Sequence, residues 1–275
     1  MKKEILEFLS KHNISAKKRY GQNFLADSFV VQKIINAANI CEDDTIIEIG
    51  PGLGVLTKEL AKKAKKVVAI EIDTTLIEPL KSQLSEFNNV EIINQDFLKV
   101  DLKSLTYGEN VKIIANLPYY ITTPIIFHIL ESGISFQNMI FMVQKEVANR
   151  ILAKEATKDY GLLTLSVAFY AKCWLVANVP PNAFIPRPDV HSAVVCFEPI
   201  DAPNVPKNAF FAITKAAFST RRKTLQNCLV AYLNLDKSLA EKIIIEAGLP
   251  PQIRGEALNF KEFEKIACIY SEYVI

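Results

Sequence analysis

The stretch that most constrains the fold is Thr45-Ile46-Ile47-Glu48-Ile49 running into Gly50-Pro51-Gly52-Leu53-Gly54. A short apolar run rich in isoleucine reads as a buried strand, and a helical pattern follows over 55–64. Three glycines at alternate positions let a backbone turn pass close to a ligand, where a Cβ would collide. Strand, glycine-rich turn and helix open a nucleotide-binding βαβ unit, so the expected architecture is α/β with a mostly parallel sheet. The spacing is G-x-G-x-G and not the dinucleotide G-x-G-x-x-G. No G-x-x-x-x-G-K-[ST] is present, so an NTPase is not indicated.

The next strands repeat the arrangement. Lys66–Glu71 ends in a carboxylate suited to both ribose hydroxyls of a bound nucleoside and repulsive to a 2′-phosphate. Val90–Asn94 leads into Gln95-Asp96-Phe97, where Asp96 is placed to accept an adenine exocyclic amine. The run 111–115 ends in Asn116-Leu117-Pro118-Tyr119. That tetrapeptide brings together a side-chain carbonyl, a backbone carbonyl, a rigid turn and an aromatic face, a set suited to a flat base with an exocyclic amine. Alone it reads as an ordinary proline turn. Four successive strand tips carrying such groups, at the ends where open α/β sheets bind ligands, make a site.

Composition narrows the alternatives. The chain has 275 residues and a net charge of only +2, so no global field points to a polyanion. Its basic residues are clustered, however, at Lys17-Lys18-Arg19, at Lys62-Lys63 with Lys65-Lys66, and at Arg221-Arg222-Lys223. Each cluster is either a solvated face or a phosphate contact. Five scattered cysteines without CxxC spacing and three distant histidines argue against a disulfide framework and a metal centre, and fit a reducing compartment. No G-x-S-x-G elbow marks an acyl-transfer serine. The N-terminus lacks an apolar signal region, and the apolar stretch 162–179 is interrupted by Lys172 and short for a membrane span. A cytoplasmic protein is expected.

Residues 1–20 read as a short helix and a basic, flexible arm, followed by the turn Tyr20-Gly21-Gln22-Asn23-Phe24-Leu25 and a helix capped at Asp27 or Ser28. After Asn116–Tyr119 come a helix over 123–131, a strand over 139–144 and a helix over 145–153. The segments 164–170 and 172–176 are expected to be extended. A stiff proline-rich loop, 180–188, carries Phe184, which serves either a partner or the core. Prolines 199, 203 and 206 mark a linker, and four amphipathic helices follow. The expected division is a catalytic domain over 1–200 and a small all-α domain over 201–275.

A site that holds adenine and ribose without a required phosphate suits S-adenosylmethionine better than NAD. An adenine N6 at Asn116–Tyr119 would donate to the Asn116 side-chain oxygen and the Leu117 carbonyl, which Pro118 aims by holding Leu117 extended. Both bonds draw the nitrogen toward tetrahedral geometry and free its lone pair. Tyr119 would stack on the base, worth roughly 1–3 kcal/mol. Such a base has to leave its stack, which favours loop or single-stranded RNA.

The segments Tyr20–Leu25, Glu48–Gly54, Asn116–Tyr119, Pro181-x-x-Phe184-x-Pro186-x-Pro188-x-Val190-x-Ser192-Ala193-Val194 and Phe218-x-x-Arg221-Arg222-Lys223-x-Leu225 together resemble the small-subunit ribosomal RNA adenine dimethyltransferases, whose loss confers kasugamycin resistance. The resemblance spans nearly the whole chain. It implies a Rossmann-like class I S-adenosylmethionine-dependent methyltransferase with a small C-terminal helical domain. The implied reaction converts two adjacent adenosines, in a hairpin loop near the 3′ end of 16S rRNA, to N6,N6-dimethyladenosine within an assembling subunit. It implies cofactor contacts at Gln22, Asn23, Leu25, Gly50, Gly52, Glu71, Asp96 and Asn116, and a base held between Tyr119 and Phe184. Lys17, Lys18, Arg19, Arg221, Arg222 and Lys223 become rRNA contacts, and a metal-free monomer is expected. Tyr120 departs from the asparagine that bacterial members often carry after the motif. Two alternatives remain at this level: a large-subunit rRNA dimethyltransferase of the antibiotic-resistance type, and a non-catalytic RNA-binding assembly factor.

Overall fold

The computed structural model describes residues 1–105, 110–220 and 222–274, without the side chain of Lys18. Arg221 therefore lies outside the described residues. The chain forms two compact units, Met1–Ala148 with Cys173–Pro199, and Asn149–Lys172 with Ile200–Ile275. The segment Asn149–Lys172 thus belongs with the C-terminal helices, where a boundary near residue 200 would have put it in the first unit.

The first unit is built on a sheet. Its strands are β1 (Phe24–Leu25), β2 (Thr45–Ile49), β3 (Lys66–Glu71), β4 (Val90–Asn94), β5 (Val111–Asn116), β6 (Asn138–Gln144), β7 (Ala171–Val179), β8 (Phe184–Ile185) and β9 (Ser192–Pro199). The main sheet has the order β4-β3-β2-β5-β6-β9-β7. Strands β4 to β6 of that order are mutually parallel, and β9 runs antiparallel to β6. Ile46, Ile47, Ile113 and Ile114 are fully buried. Strands covered on both faces need such continuous apolar runs. The helices α1 (Lys2–Lys11), α2 (Ser28–Ala38), α3 (Val55–Ala61), α4 (Thr74–Gln83), α5 (Leu102–Leu105), α6 (Thr122–Glu131) and α7 (Lys145–Ile151) complete this part of the chain. Val30, Ile34 and Ile35 of α2 and Leu60 of α3 share one apolar cluster with the sheet.

Topology decides where a ligand can enter. From β2 the chain winds outward to β3 and β4, then returns to place β5 on the other side of β2. The strand order therefore reverses between β2 and β5, and open α/β sheets bind ligands at the carboxyl ends beside such a reversal. Gly50 follows one of these strands and Asn116 ends the other. The register Ile49↔Ile70, Ile49↔Ala115 and Glu71↔Asn94 brings the strand tips level.

The second unit is helical. It contains α8 (Leu162–Ala168), α9 (Lys207–Ser219), α10 (Leu225–Leu233), α11 (Lys237–Glu246) and α12 (Phe260–Val274). Phe169, Phe210, Leu229, Ile243 and Phe263 pack in one core. The helix α8 corrects the extended reading of 164–170. A short apolar run has no periodicity that separates strand from buried helix. Here Thr164 decides for helix locally, because its hydroxyl accepts from Gly161 N (3.2 Å) and donates to Arg150 O (2.6 Å). Among the described residues no helix is long and apolar enough to cross a membrane, and no group of three or more His, Cys, Asp or Glu side chains is placed to hold a metal ion.

Candidate active site

A pocket of about 810 Å³, counted to its open mouth, lies at the reversal point of the sheet. Its wall includes Gln22, Asn23 and Leu25, Gly50 and Gly52, Glu71, and Asn116, Leu117, Pro118 and Tyr119. The fold thus gathers sequence-distant segments of the expected site around one cavity.

The glycine turn is built for close approach. Gly50, Gly52 and Gly54 have φ of 66°, 58° and 74°, values that favour glycine. A Cβ at Gly52 would come within 3.2 Å of the Phe24 ring, and one at Gly54 within 2.7 Å of Leu80. At Gly50 a Cβ would meet open space, so there the room is left on the pocket side.

Glu71 is buried at the tip of β3. Its Oε2 accepts from Gly52 N (3.2 Å) and its Oε1 from Asp73 N (2.8 Å), which orients the carboxylate and keeps further lone pairs for ligand hydroxyls. Burial raises its pKa, partly offset by these backbone donors.

Asn116 ends β5. Its Nδ2 donates to Asn23 O at 2.9 Å. Since that partner can only accept, the amide orientation is fixed and Oδ1 is the free acceptor. Leu117 N donates to Met142 O (3.0 Å), and Pro118 O is taken by Ile121 N and Thr122 Oγ1. Tyr119 shares a 2.6 Å hydrogen bond with Ser192 Oγ of β9, a fully buried serine, which anchors the hydroxyl end of the ring. Burial pushes the Tyr119 phenol pKa up, and the Ser192 bond opposes this.

Two expected residues are placed differently. Phe184 is 3% exposed, inside the apolar cluster that also holds Leu25 and Val194, and does not line the pocket. It sits on a two-residue antiparallel ribbon in which Leu25 pairs with Phe184. Asp96 also lies off the pocket wall, where its Oδ1 accepts from Leu98 N (3.1 Å). Tyr120 is more than half exposed, and its ring lies 3.2 Å from the position of a Gly21 Cβ. Burial, then the charges of Asp96, Tyr20 and Glu71, raise the Tyr120 phenol pKa.

Of the basic residues, Lys17 is engaged internally: its Nζ meets Asp73 Oδ1 at 2.7 Å and Thr75 Oγ1 at 2.7 Å. The segment read as a flexible arm is thus bonded to its own domain at this point. Arg19 is exposed and stacks over Tyr20, 4.7 Å from the ring centroid. Arg222 and Lys223 are exposed within the second unit.

Sequence reasoning missed Glu48. It lines the pocket, is fully buried, and its Oε2 has no hydrogen-bond partner; Thr57 lies close by without forming a bond. Burial raises its pKa to about 8; the nearby Thr57 hydroxyl lowers it and the Glu71 charge raises it. An acid inside an otherwise apolar strand was the available signal. A carboxyl whose folded pKa lies above its unfolded 4.5 is more protonated in the native state, so stability declines as pH rises from 4.5 toward about 8. Glu48→Gln should flatten that decline in the cofactor-free protein, read as melting temperature against pH. An unchanged slope would contradict the assignment.

A glycine turn, an oriented Glu71 and an Asn-Leu-Pro-Tyr tip around a switch-point pocket define a class I S-adenosylmethionine-dependent methyltransferase, and solved structures agree. A dimethyladenosine transferase from Plasmodium falciparum superimposes with a TM-score of 0.77 at 28% identity, covering 90% of this chain and 98% of that one. The 23S rRNA methyltransferase ErmE superimposes with a TM-score of 0.71 at 25% identity, covering 90% and 100%. Ribosomal RNA small subunit methyltransferase A from Lachnoclostridium phytofermentans is 44% identical, over 98% of this chain and 97% of its own. The enzyme of the same description from Clostridium perfringens is also 44% identical, over 98% and 95%. The Ribosomal RNA adenine dimethylase family matches residues 13–256, and the chain belongs to that family.

Proposed function

We propose that this protein transfers methyl groups from S-adenosylmethionine to N6 of two adjacent adenosines, in a hairpin loop near the 3′ end of 16S rRNA. The product is N6,N6-dimethyladenosine. The reaction belongs to small-subunit assembly in the cytoplasm, and the protein acts as a monomer without a metal. The observation that carries this reading is the Asn116 amide, pinned by Asn23 so that Oδ1 is the free acceptor, in a pocket that Leu117 and Tyr119 also line.

The residues present fit the cofactor. Gly50 leaves space, Glu71 offers oriented oxygens and Glu48 an unpartnered buried oxygen. Gln22, Asn23, Leu25, Gly50, Gly52, Glu71 and Asn116 would hold it, and Asp96, off the pocket wall, would reach it only after a change in its turn. S-adenosylmethionine supplies an electrophilic methyl group on sulfur. In the first transfer Asn116 Oδ1 and Leu117 O accept the two N6–H bonds and orient the nitrogen lone pair; in the second, one of them accepts the N–H that remains. Tyr119, fixed by Ser192, stacks on the base. The methylated nitrogen is cationic and acidic, so it loses its proton to water or Asn116 without a strong base. Positioning is the main catalytic contribution. Phe184 joins the second face of the base only by leaving the core, so Tyr119 carries the stacking in this reading.

Support for the small-subunit substrate comes from the named relatives; the fold is shared with an enzyme acting on 23S rRNA. Primer extension on both rRNAs, after incubating unmethylated subunits with protein and cofactor, separates the two. Stops at two adjacent adenosines of the small subunit are expected, and a stop on the large subunit alone would overturn the proposal. Arg19, Lys18, Arg221, Arg222 and Lys223 are proposed phosphate contacts, with Lys17 held by Asp73. Replacing Arg221 and Arg222 with glutamine should weaken RNA binding and reduce the slope of log affinity against log salt, by roughly 0.7–0.9 for each phosphate that is no longer neutralised. An unchanged slope would make the pair a plain solvated face.

A further inference from the structure

The segment that roofs the pocket is attached at two points. One is Asn23 O, which receives Asn116 Nδ2. The other is Asp73, two residues beyond Glu71. Its carboxylate is buried and takes donors from both sides. Oδ1 accepts from Lys17 Nζ (2.7 Å), Thr75 N (3.1 Å) and Thr75 Oγ1 (2.8 Å), and Oδ2 accepts from Gln22 Nε2 (2.8 Å). Gln22 Oε1 in turn accepts from Lys17 N at 2.7 Å, which closes a ring of bonds within the segment. The Asp73 backbone N–H meets Glu71 Oε1. One residue therefore touches the pocket carboxylate through its backbone and fixes the pocket roof through its side chain.

The plain alternative is that Asp73 only caps α4, which the bonds to Thr75 would accomplish alone. The cap does not need Lys17 or Gln22, and those two donors come from more than fifty residues away in the chain. Burial disfavours the charged carboxylate, but the Lys17, Thr75 and Gln22 donors outweigh it and hold the pKa at about 2.

We propose that Asp73 is a positioning residue for the cofactor pocket: it latches residues 17–23 closed, so that Gln22 and Asn23 are in place before S-adenosylmethionine binds. The inference rests on the reading of the pocket as the S-adenosylmethionine site. Without the latch, binding has to order the segment, and that ordering cost subtracts from affinity. Methyl transfer at saturating cofactor changes little, since Asp73 touches neither reactant.

The test uses the full-length protein and three variants. Asp73→Asn removes the charge that holds Lys17. Lys17→Met breaks the latch and leaves the α4 cap intact. Thr75→Ala removes a cap hydroxyl and one of the two side-chain partners of Lys17 Nζ, and leaves the Lys17–Asp73 and Gln22–Asp73 bonds. Calorimetric titration with S-adenosylmethionine should give about tenfold weaker binding for Asp73→Asn and Lys17→Met, about 1.4 kcal/mol, and a much smaller loss for Thr75→Ala, which keeps the Asp73 bonds to Lys17 and Gln22. The effects of Asp73→Asn and Lys17→Met should not add. In the cofactor-free protein, trypsin should cut after Arg19 faster in both latch variants. The KM for cofactor should rise while kcat stays within about twofold. Unchanged affinity and cleavage in Lys17→Met would overturn the latch, as would a Thr75→Ala effect equal to that of Asp73→Asn. Should wild-type protein fail to bind S-adenosylmethionine, the cofactor reading falls, and trypsin cleavage still reports on the latch itself.

Discussion

Asn116→Ala lowers the rate of methyl transfer by about 100- to 1,000-fold, the scale seen when one preorganised polar group is removed from charge developing in a transition state. In the proposed reaction the amine gains positive charge as it attacks, and the Asn116 Oδ1 dipole would face that charge. The same amide bolts Asn23 in place, so cofactor affinity should fall too, by a much smaller factor. Single-turnover transfer of labelled methyl to unmethylated rRNA, at saturating cofactor, isolates the chemical loss. Asn116→Asp is not a rescue: it keeps an acceptor but turns an anion toward the Asn23 carbonyl. A loss below about tenfold for Asn116→Ala would mean that positioning by the Leu117 carbonyl and Tyr119 suffices.

Asp44→Ala produces the largest expected loss of stability. Lys112 of β5 is 3% exposed, and its Nζ lies 2.6 Å from Asp44 Oδ2 and 2.6 Å from Asn39 O. Asp44 also accepts from Cys41 N at 2.7 Å. Removing one partner of a buried pair leaves an uncompensated charge and costs about 3–5 kcal/mol. For a chain of this size, that lowers the melting temperature by on the order of 10 °C. Replacing both partners, Asp44→Asn with Lys112→Met, should recover much of the loss. Calorimetric melting of the single and double variants checks this; a double variant no better than Asp44→Ala would show that Lys112 is not the source of the cost.

Residues that announce themselves locally were legible in the sequence. Apolar runs gave the parallel strands, and the groups at their tips gave Gly50, Glu71 and Asn116, because strand ends of an open sheet converge whatever the details of the loops. What remained hidden depends on contacts between distant positions. Nothing near Asp73 in sequence signals Lys17, and nothing near Tyr119 signals Ser192, although both pairs lie within 2.7 Å. Phe184 was open between core and partner, and only the β1–β8 ribbon shows it inside. Asp96 fits a strand-tip pattern, yet its turn carries it off the pocket wall. The stretch 162–168 folds as a helix, since an apolar run of seven residues fits either a buried strand or a buried helix and the Thr164 contacts decide.

The most direct test of the account is mass spectrometry of nucleosides and nuclease fragments from small-subunit rRNA, unmethylated at the start and incubated with this protein and S-adenosylmethionine. Two adjacent N6,N6-dimethyladenosines in one 3′-terminal fragment are expected, formed far more slowly with Asn116→Ala. No dimethyladenosine in that fragment, or dimethyladenosine only in large-subunit rRNA treated in parallel, would contradict it.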